Sequence, residues 1–308
     1  MCAPEVMTHV HRTIGETGPS ATGPRMSRRG LFGVAGLAAL GGVLAPHAAV
    51  ATPAAPAISI RARSVVDLTH TLTADFPVWP GSEAFAMEPV VVIDPSPLGS
   101  LTGSLGGSSG PARGEFLVNR VSYCEHVGTH IDAPAHKIVD GCTVEELPIE
   151  DFVAPIAVVD ISDRASSDAD AVLTVADLEA WERVHGRLPA RSVVAMNSGW
   201  DAHVANPRKY VGLDLSGTPH SPGFDPDAVT FLVEERDIVA IGVDTLSLDA
   251  ARSRTYGAHV AALGAGKYGI ESLANLSALP PVGATVVVGA PKHRGGSGGP
   301  CRVLAFVD

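Results

Sequence analysis

The stretch H-V-G-T-H-I-D-A-P-A-H, His126 to His136, places three histidines and one aspartate within eleven residues of a chain in which only 18% of residues are charged. Gly128, the β-branched Thr129 and Ile131, and Pro134 all disfavour a continuous helix through it. The segment therefore reads as a short strand. Side chains two apart on a strand share a face, so His130 and Asp132 point the same way, and Gly128 permits a bend that brings His126 round to them. Two imidazoles and a carboxylate converging in this way suit zinc, manganese or ferrous iron, with one position left open for water. His136 lies just past the Pro134 turn. There it reads as a general acid or base beside that water instead of a ligand.

These four residues carry a resemblance. In the cyclase family of metal-dependent hydrolases, which includes bacterial kynurenine formamidase and isatin hydrolase, the signature runs His, any three, His, any, Asp, any three, His. His126, His130, Asp132 and His136 fill its four places. The resemblance implies that the first three bind metal and that His136 is the catalytic acid/base. It runs from Val65 to about Pro280. Val65 to His70 reads as a strand and Phe76 to Gly81 as a rigid aromatic loop; both are similar to the family's N-terminal strand and Trp-Pro-Gly loop. Trp79 thereby resembles a pocket-wall residue, although a lone Trp in a Pro-rich loop equally caps a core. His70 has the same ambiguity and is left out of the site.

Further along, an apolar strand from Ser192 to Asn197 runs into Ser198-Gly-Trp-Asp201, which resembles a family loop near the substrate pocket. The plainer reading is a strand exit packed by Trp200. Asp244-Thr-Leu-Ser-Leu-Asp249 matches the family's Asp-Thr-x-Ser-x-Asp in full. At a strand end, Asp244 and Ser247 either support the metal ligands from behind or cap the following loop. His259, in the short apolar turn AHVAALG, and Glu271, twelve residues on, match the pair that completes the family's site, with Asp132 bridging. The implied cofactor is a divalent metal, Zn or Mn, as one or two ions. Two departures stand out: Ser272 follows Glu271 where the family has Asn, and Ser82 stands where an acidic residue often follows Trp-Pro-Gly.

Outside the site, 45% apolar content over 308 residues is globular, and one large domain is the preferred division. Residues 1–51 read as a leader. Ser27-Arg-Arg-Gly-Leu-Phe32 followed by an uncharged Ala, Gly and Leu run to Ala45 resembles a twin-arginine export signal, with Ala49-Val-Ala51 as a small-residue cleavage site. Residues before Met26 show no pattern and suggest an over-extended start. A Pro- and Ala-rich linker occupies 52–63, and the hydrolase domain 64–308. The full chain carries a net charge of −11, and cleavage after Ala51 makes it more acidic by removing four arginines against two glutamates. No nucleic-acid partner and no stable membrane insertion after cleavage are expected. Cys124, Cys142 and Cys301 have no paired spacing, so free thiols are expected over a disulfide.

Strands are expected at Val90–Ile93, Glu115–Tyr123, Pro155–Ser162 and Ile238–Thr245, and as a C-terminal pair at Ala284–Ala290 and Cys301–Val307. Thr174, with Asp177 in capping-box position, opens a helix ended by Gly186; Pro226–Glu235 and the stretch SLANLSAL after Glu271 are further helices. Asp94–Gly114, rich in Gly, Ser and Pro, is either a lid or a surface insertion. The pattern is mixed α/β in a single domain, and the family implies a β-barrel-like core flanked by helices.

The chemistry that follows is hydrolysis of an amide C–N bond by metal-activated water, with His136 relaying the proton to the leaving nitrogen. Aryl formamide opening of the kynurenine formamidase kind is the first reading. Opening of a cyclic amide or lactone, as in isatin hydrolase, is the alternative. From another class, an exported metal- or solute-binding protein without turnover is set against both. The partner is a small-molecule amide or lactone, and the family implies a homo-oligomer.

Overall fold

Short runs of Val, Ile and Ala form most of the strands in the computed structural model, which describes residues 62–93 and 111–308. The leader, nearly all of the linker and most of the Asp94–Gly114 loop lie outside the described residues. Nine strands make one sheet in the order β1 (Ser64–Asp67), β14 (Arg302–Val307), β12 (Ala284–Gly289), β6 (Val153–Asp160), β8 (Val193–Asn197), β10 (Ala240–Val243), β11 (Tyr268–Glu271), β5 (His130–Asp132) and β13 (Gly298–Pro300). The middle four, β6, β8, β10 and β11, are parallel. Parallel neighbours need long crossovers. Helices α1 (Ser162–Ser167) and α2 (Val175–His185) lie between β6 and β8, α3 (Pro207–Val211) and α4 (Pro226–Arg236) between β8 and β10, and α5 (Gly257–Gly264) between β10 and β11.

Alternation along these strands makes two cores. Ile156, Val158, Val193 and Ala195 point into one, with Leu68, Ile131 and Val303. Ala157, Val159, Val194 and Met196 point into the other, against Leu178, Trp181 and Leu232 of the helices. The sheet curls round the first core as a half-barrel and leaves β1 and β13 at its two ends. The mixed α/β domain with a barrel-like core flanked by helices is therefore as expected. β2 (Ala86–Ile93), β3 (Ala112–Gly114) and β4 (Val118–Ser122) form a separate three-stranded sheet, and β7 (Val172–Leu173) pairs with β9 (Gly223–Phe224).

Local chemistry explains the helix boundaries. Thr174 caps α2, with both arms of the Thr174–Asp177 capping box made, and Gly186 ends it at φ 87. Two expectations fail. AHVAALG is not a turn but the helix α5. SLANLSAL is not a helix, because Ser272 and Asn275 adopt left-handed φ of 54 and 57, leaving a single 3₁₀ turn at Leu276–Ala278. Among the described residues, Cys124, Cys142 and Cys301 are free thiols, and the C-terminal strands β12 and β14 pair antiparallel, both as expected.

Strand β5 positions the site. It is held on one side by β11, with His130 opposite Glu271, and on the other by β13, with Asp132 opposite Gly298. Only glycine fits at 298: a Cβ there would come within 2.2 Å of the Ile131 carbonyl oxygen and 2.8 Å of His126 Cε1. Gly298→Ala should force β13 off β5 and destabilise the fold by about 2–3 kcal/mol, read from the denaturant midpoint. An unchanged midpoint would refute the close approach.

Candidate metal centre

Gly128, at φ 66, turns the chain so that His126 comes back over the strand that carries His130 and Asp132. All three are buried, Asp132 completely. Helix α5 brings His259 and β11 brings Glu271 to the same point, both out of contact with solvent or nearly so. His126 Nδ1 lies 2.6 Å from Asp132 Oδ1. His130 Nε2 lies 3.3 Å from Asp132 and 3.2 Å from Glu271, and His259 Nε2 lies 3.4 Å and 3.2 Å from the same two carboxylates.

The outward nitrogens decide which tautomer each ring adopts. His130 Nδ1 donates to the Gly128 carbonyl at 2.9 Å, and His259 Nδ1 donates to Asp249 at 2.6 Å. His126 Nε2 meets Ser297 Oγ at 2.8 Å, whose own proton goes to Glu125, so His126 is the donor there. His130 and His259 thus spend their N–H away from the centre and turn a lone pair towards carboxylate oxygens. Lone pair facing lone pair is repulsive unless a positive charge lies between them. Accordingly His130 Nε2, His259 Nε2 and Asp132 Oδ2 are buried without a hydrogen-bond partner among the described residues. A divalent cation fits this donor set: imidazole nitrogens and carboxylate oxygens with their outer atoms already fixed.

The electrostatics agree. Burial alone would push the His130 imidazole down, yet Asp132 and Glu271 hold it up to about 9, and the same carboxylates with Asp249 raise His259 well above its usual range against burial. A centre that favours imidazolium so strongly favours a bound cation for the same reason. His136 goes the other way. Burial lowers it well below the usual range, with Asp132 opposing and His126 adding to the fall. Its ring lies 3.7 Å from that of His126 and 5.9 Å from that of His259. Two ligand groups share Asp132: His126, Asp132 and His136 in one, His130, Asp132 and Glu271 in the other, each with donor atoms within 4.8 Å of one another.

The remaining expected residues divide. Trp79 and Ser247 line a cavity of about 570 Å³ that also touches Tyr256, whose ring packs edge-on against His259. The Trp79 indole N–H is buried there without a partner among the described residues. Trp200 instead donates its indole N–H to the Tyr210 carbonyl and packs in an apolar cluster with Trp79, lining a different hollow. Asp244 accepts from Ser198 N, Ser198 Oγ and Trp200 N, so it braces the strand exit rather than the histidines.

Contacts behind the ligands come from residues the sequence did not single out for that task. Asp249 accepts from the backbone of Ala258 and from both nitrogens it reaches on His259. Leu248 N donates to Glu271 Oε1. Asp249 was visible as the last letter of the Asp-Thr-Leu-Ser-Leu-Asp motif; Ser297 stands 171 residues from its partner and carried no signal. Asp249→Asn should weaken zinc or manganese binding by about 10–100-fold, measured by competition with a metal indicator. Unchanged affinity would show that His259 needs no orienting partner.

The family described as "Putative cyclase" matches residues 66–250. The isatin hydrolase of Roseibium aggregatum is 35% identical over 201 residues, which span 62% of this chain and 75% of that protein. The kynurenine formamidase of Maricaulis maris is 29% identical over 193 residues, 63% of this chain and 74% of that protein. Among solved structures, isatin hydrolase A from Ralstonia solanacearum is similar with a TM-score of 0.68 at 37% identity, covering 80% of this chain and 92% of its own.

Proposed function

We propose for this chain, which belongs to the cyclase family of metal-dependent amide hydrolases, the hydrolysis of an aryl formamide at its C–N bond, with His126, His130, Asp132, His259 and Glu271 holding one or two Zn or Mn ions. The observation that carries it is the set of inward-facing imidazole nitrogens meeting two buried carboxylates, each ring fixed from outside. A divalent cation held by these residues would supply Lewis-acid chemistry, lowering the pKa of water from 15.7 towards about 7 and polarising an amide carbonyl.

The chain's own residues supply the rest. His136, neutral at pH 7 because burial depresses it, accepts the proton of the attacking water on a ring nitrogen and returns it to the leaving nitrogen. Trp79 walls the cavity with the face of its ring. Ring opening of a cyclic amide uses the same residues, and the higher identity to an isatin hydrolase than to a kynurenine formamidase favours it as the second reading.

The test is turnover of N-formylkynurenine and of isatin by purified protein before and after chelation, with zinc and manganese restored separately. Chelator-sensitive hydrolysis of N-formylkynurenine supports the assignment, and that of isatin alone supports the second reading. Stoichiometric metal without turnover of both substrates would favour a binding protein. Export by the twin-arginine-type leader and homo-oligomer formation belong to the same proposal. The Arg28-Arg29 pair and its apolar run support the first, read by N-terminal sequencing of exported protein, and family habit the second, read by light scattering.

A further inference from the structure

We infer that Arg254 selects a substrate that carries a negatively charged group, a carboxylate, in addition to its amide; this deepens the hydrolase reading above and rests on it. The cavity that reaches Tyr256, whose ring packs edge-on against His259, is lined by Arg252 and Arg254 and by no aspartate or glutamate, in a chain with 33 acidic residues against 22 Lys and Arg. A cationic wall on so acidic a protein is a local feature, and it sets the sign of what the cavity attracts.

The two arginines differ. Arg252 lies 3.4 Å from Asp170, a carboxylate that also meets His220 at 3.0 Å. Arg254 has no carboxylate partner among the described residues. Its planar fork of donors is therefore available for bidentate contact with a carboxylate.

The loop that presents it is built. Ala251 N donates to the Ser221 carbonyl at 3.0 Å and Ser253 N to that of Ala250 at 2.7 Å. Ser253 Oγ is the acceptor for Tyr256 N and itself reaches Asp249, the residue that orients His259. Arg254 thus stands between Ser253 and Tyr256, on a loop pinned to the metal centre's own support. A cavity of about 570 Å³ is of the size that takes a small aromatic molecule, with the reacting amide towards the Tyr256 side, against which His259 packs, and its charged group towards Arg254.

The experiment compares 2-formamidobenzoate with its neutral match 2-formamidobenzamide, in wild-type protein and in Arg254→Ala and Arg254→Lys, all loaded with metal. The preference for the charged substrate, as a ratio of kcat/KM values, should fall about tenfold in Arg254→Ala through KM and recover in part in Arg254→Lys. Raising the salt should shrink the wild-type preference. Equal loss on both substrates, or an unchanged ratio, overturns the inference. Binding of 2-aminobenzoate against 2-aminobenzamide by titration calorimetry reads the same selectivity without turnover. Charge-selective binding lost in Arg254→Ala, with no amide hydrolysed, would sink the hydrolase reading and keep the role of Arg254; no charge selectivity in wild type sinks the inference alone.

Discussion

Asp132→Ala is expected to remove bound metal and turnover together, leaving less than about one thousandth of the wild-type rate. Asp132 is the one carboxylate shared by both ligand groups, and three imidazoles address it: His126 at 2.6 Å, His130 at 3.3 Å and His259 at 3.4 Å. No neighbour can replace it. Glu271 reaches His130 and His259 but has no contact of this kind with His126. Losing one partner from a buried charged network also destabilises, by about 3–5 kcal/mol, so the melting temperature should fall with the metal content. Elemental analysis of the purified variant together with a thermal melt checks both. A folded variant that keeps stoichiometric metal would show that Asp132 is not the bridge between the two groups.

His136→Ala should separate the two properties. If His136 moves the proton and does not hold metal, kcat falls about 10²–10⁴-fold while the metal stays. The opposite outcome, metal lost along with activity, makes His136 a ligand, and its place in one group with His126 and Asp132 gives that outcome a definite structural meaning. With its centroid 3.7 Å from that of His126 and its plane tilted by 33°, the ring is close enough to the ligands for either role. His136→Gln is the companion variant, since an amide restores bulk and a hydrogen bond but no proton transfer. Activity recovered by glutamine would argue that the histidine only packs.

Much of this was legible because the decisive residues are close in sequence. The spacing His126, His130, Asp132 is read directly once the segment is known to be extended, and Gly128, Thr129 and Pro134 say that it is. His259 and Glu271 were legible only through resemblance, since the strand pairing that sets Glu271 opposite His130 is not encoded in any local pattern. The same limit hid Ser297, which arrives on the approach to β13, and it left both readings of Trp200 open, whose indole N–H goes to the Tyr210 carbonyl and whose ring lines a hollow of its own. The helix expected after Glu271 failed for a different reason. The stretch SLANLSAL reads as a helix, but the chain turns left-handed at Ser272 to bridge Leu273 to Thr69 near the N-terminal strand.

Strand β5 is only three residues long and is clamped between β11 and β13, whose residues come from 268–271 and 298–300. In the order of synthesis, the last part of the clamp is made after more than nine-tenths of the chain. Until it is in place, His126 lacks Ser297 behind it and β5 lacks one of its two neighbours, so an unfinished chain holds the ligands only loosely for an ion. Metal then acts almost wholly on the finished fold, and at a free concentration a hundred times its dissociation constant it would add about 2.7 kcal/mol of stability. Scarcity of zinc or manganese in the growth medium should therefore shorten the lifetime of the protein in the cell, as proteases sample the more often opened empty form. The amount of protein present would then follow metal supply even at a constant rate of synthesis.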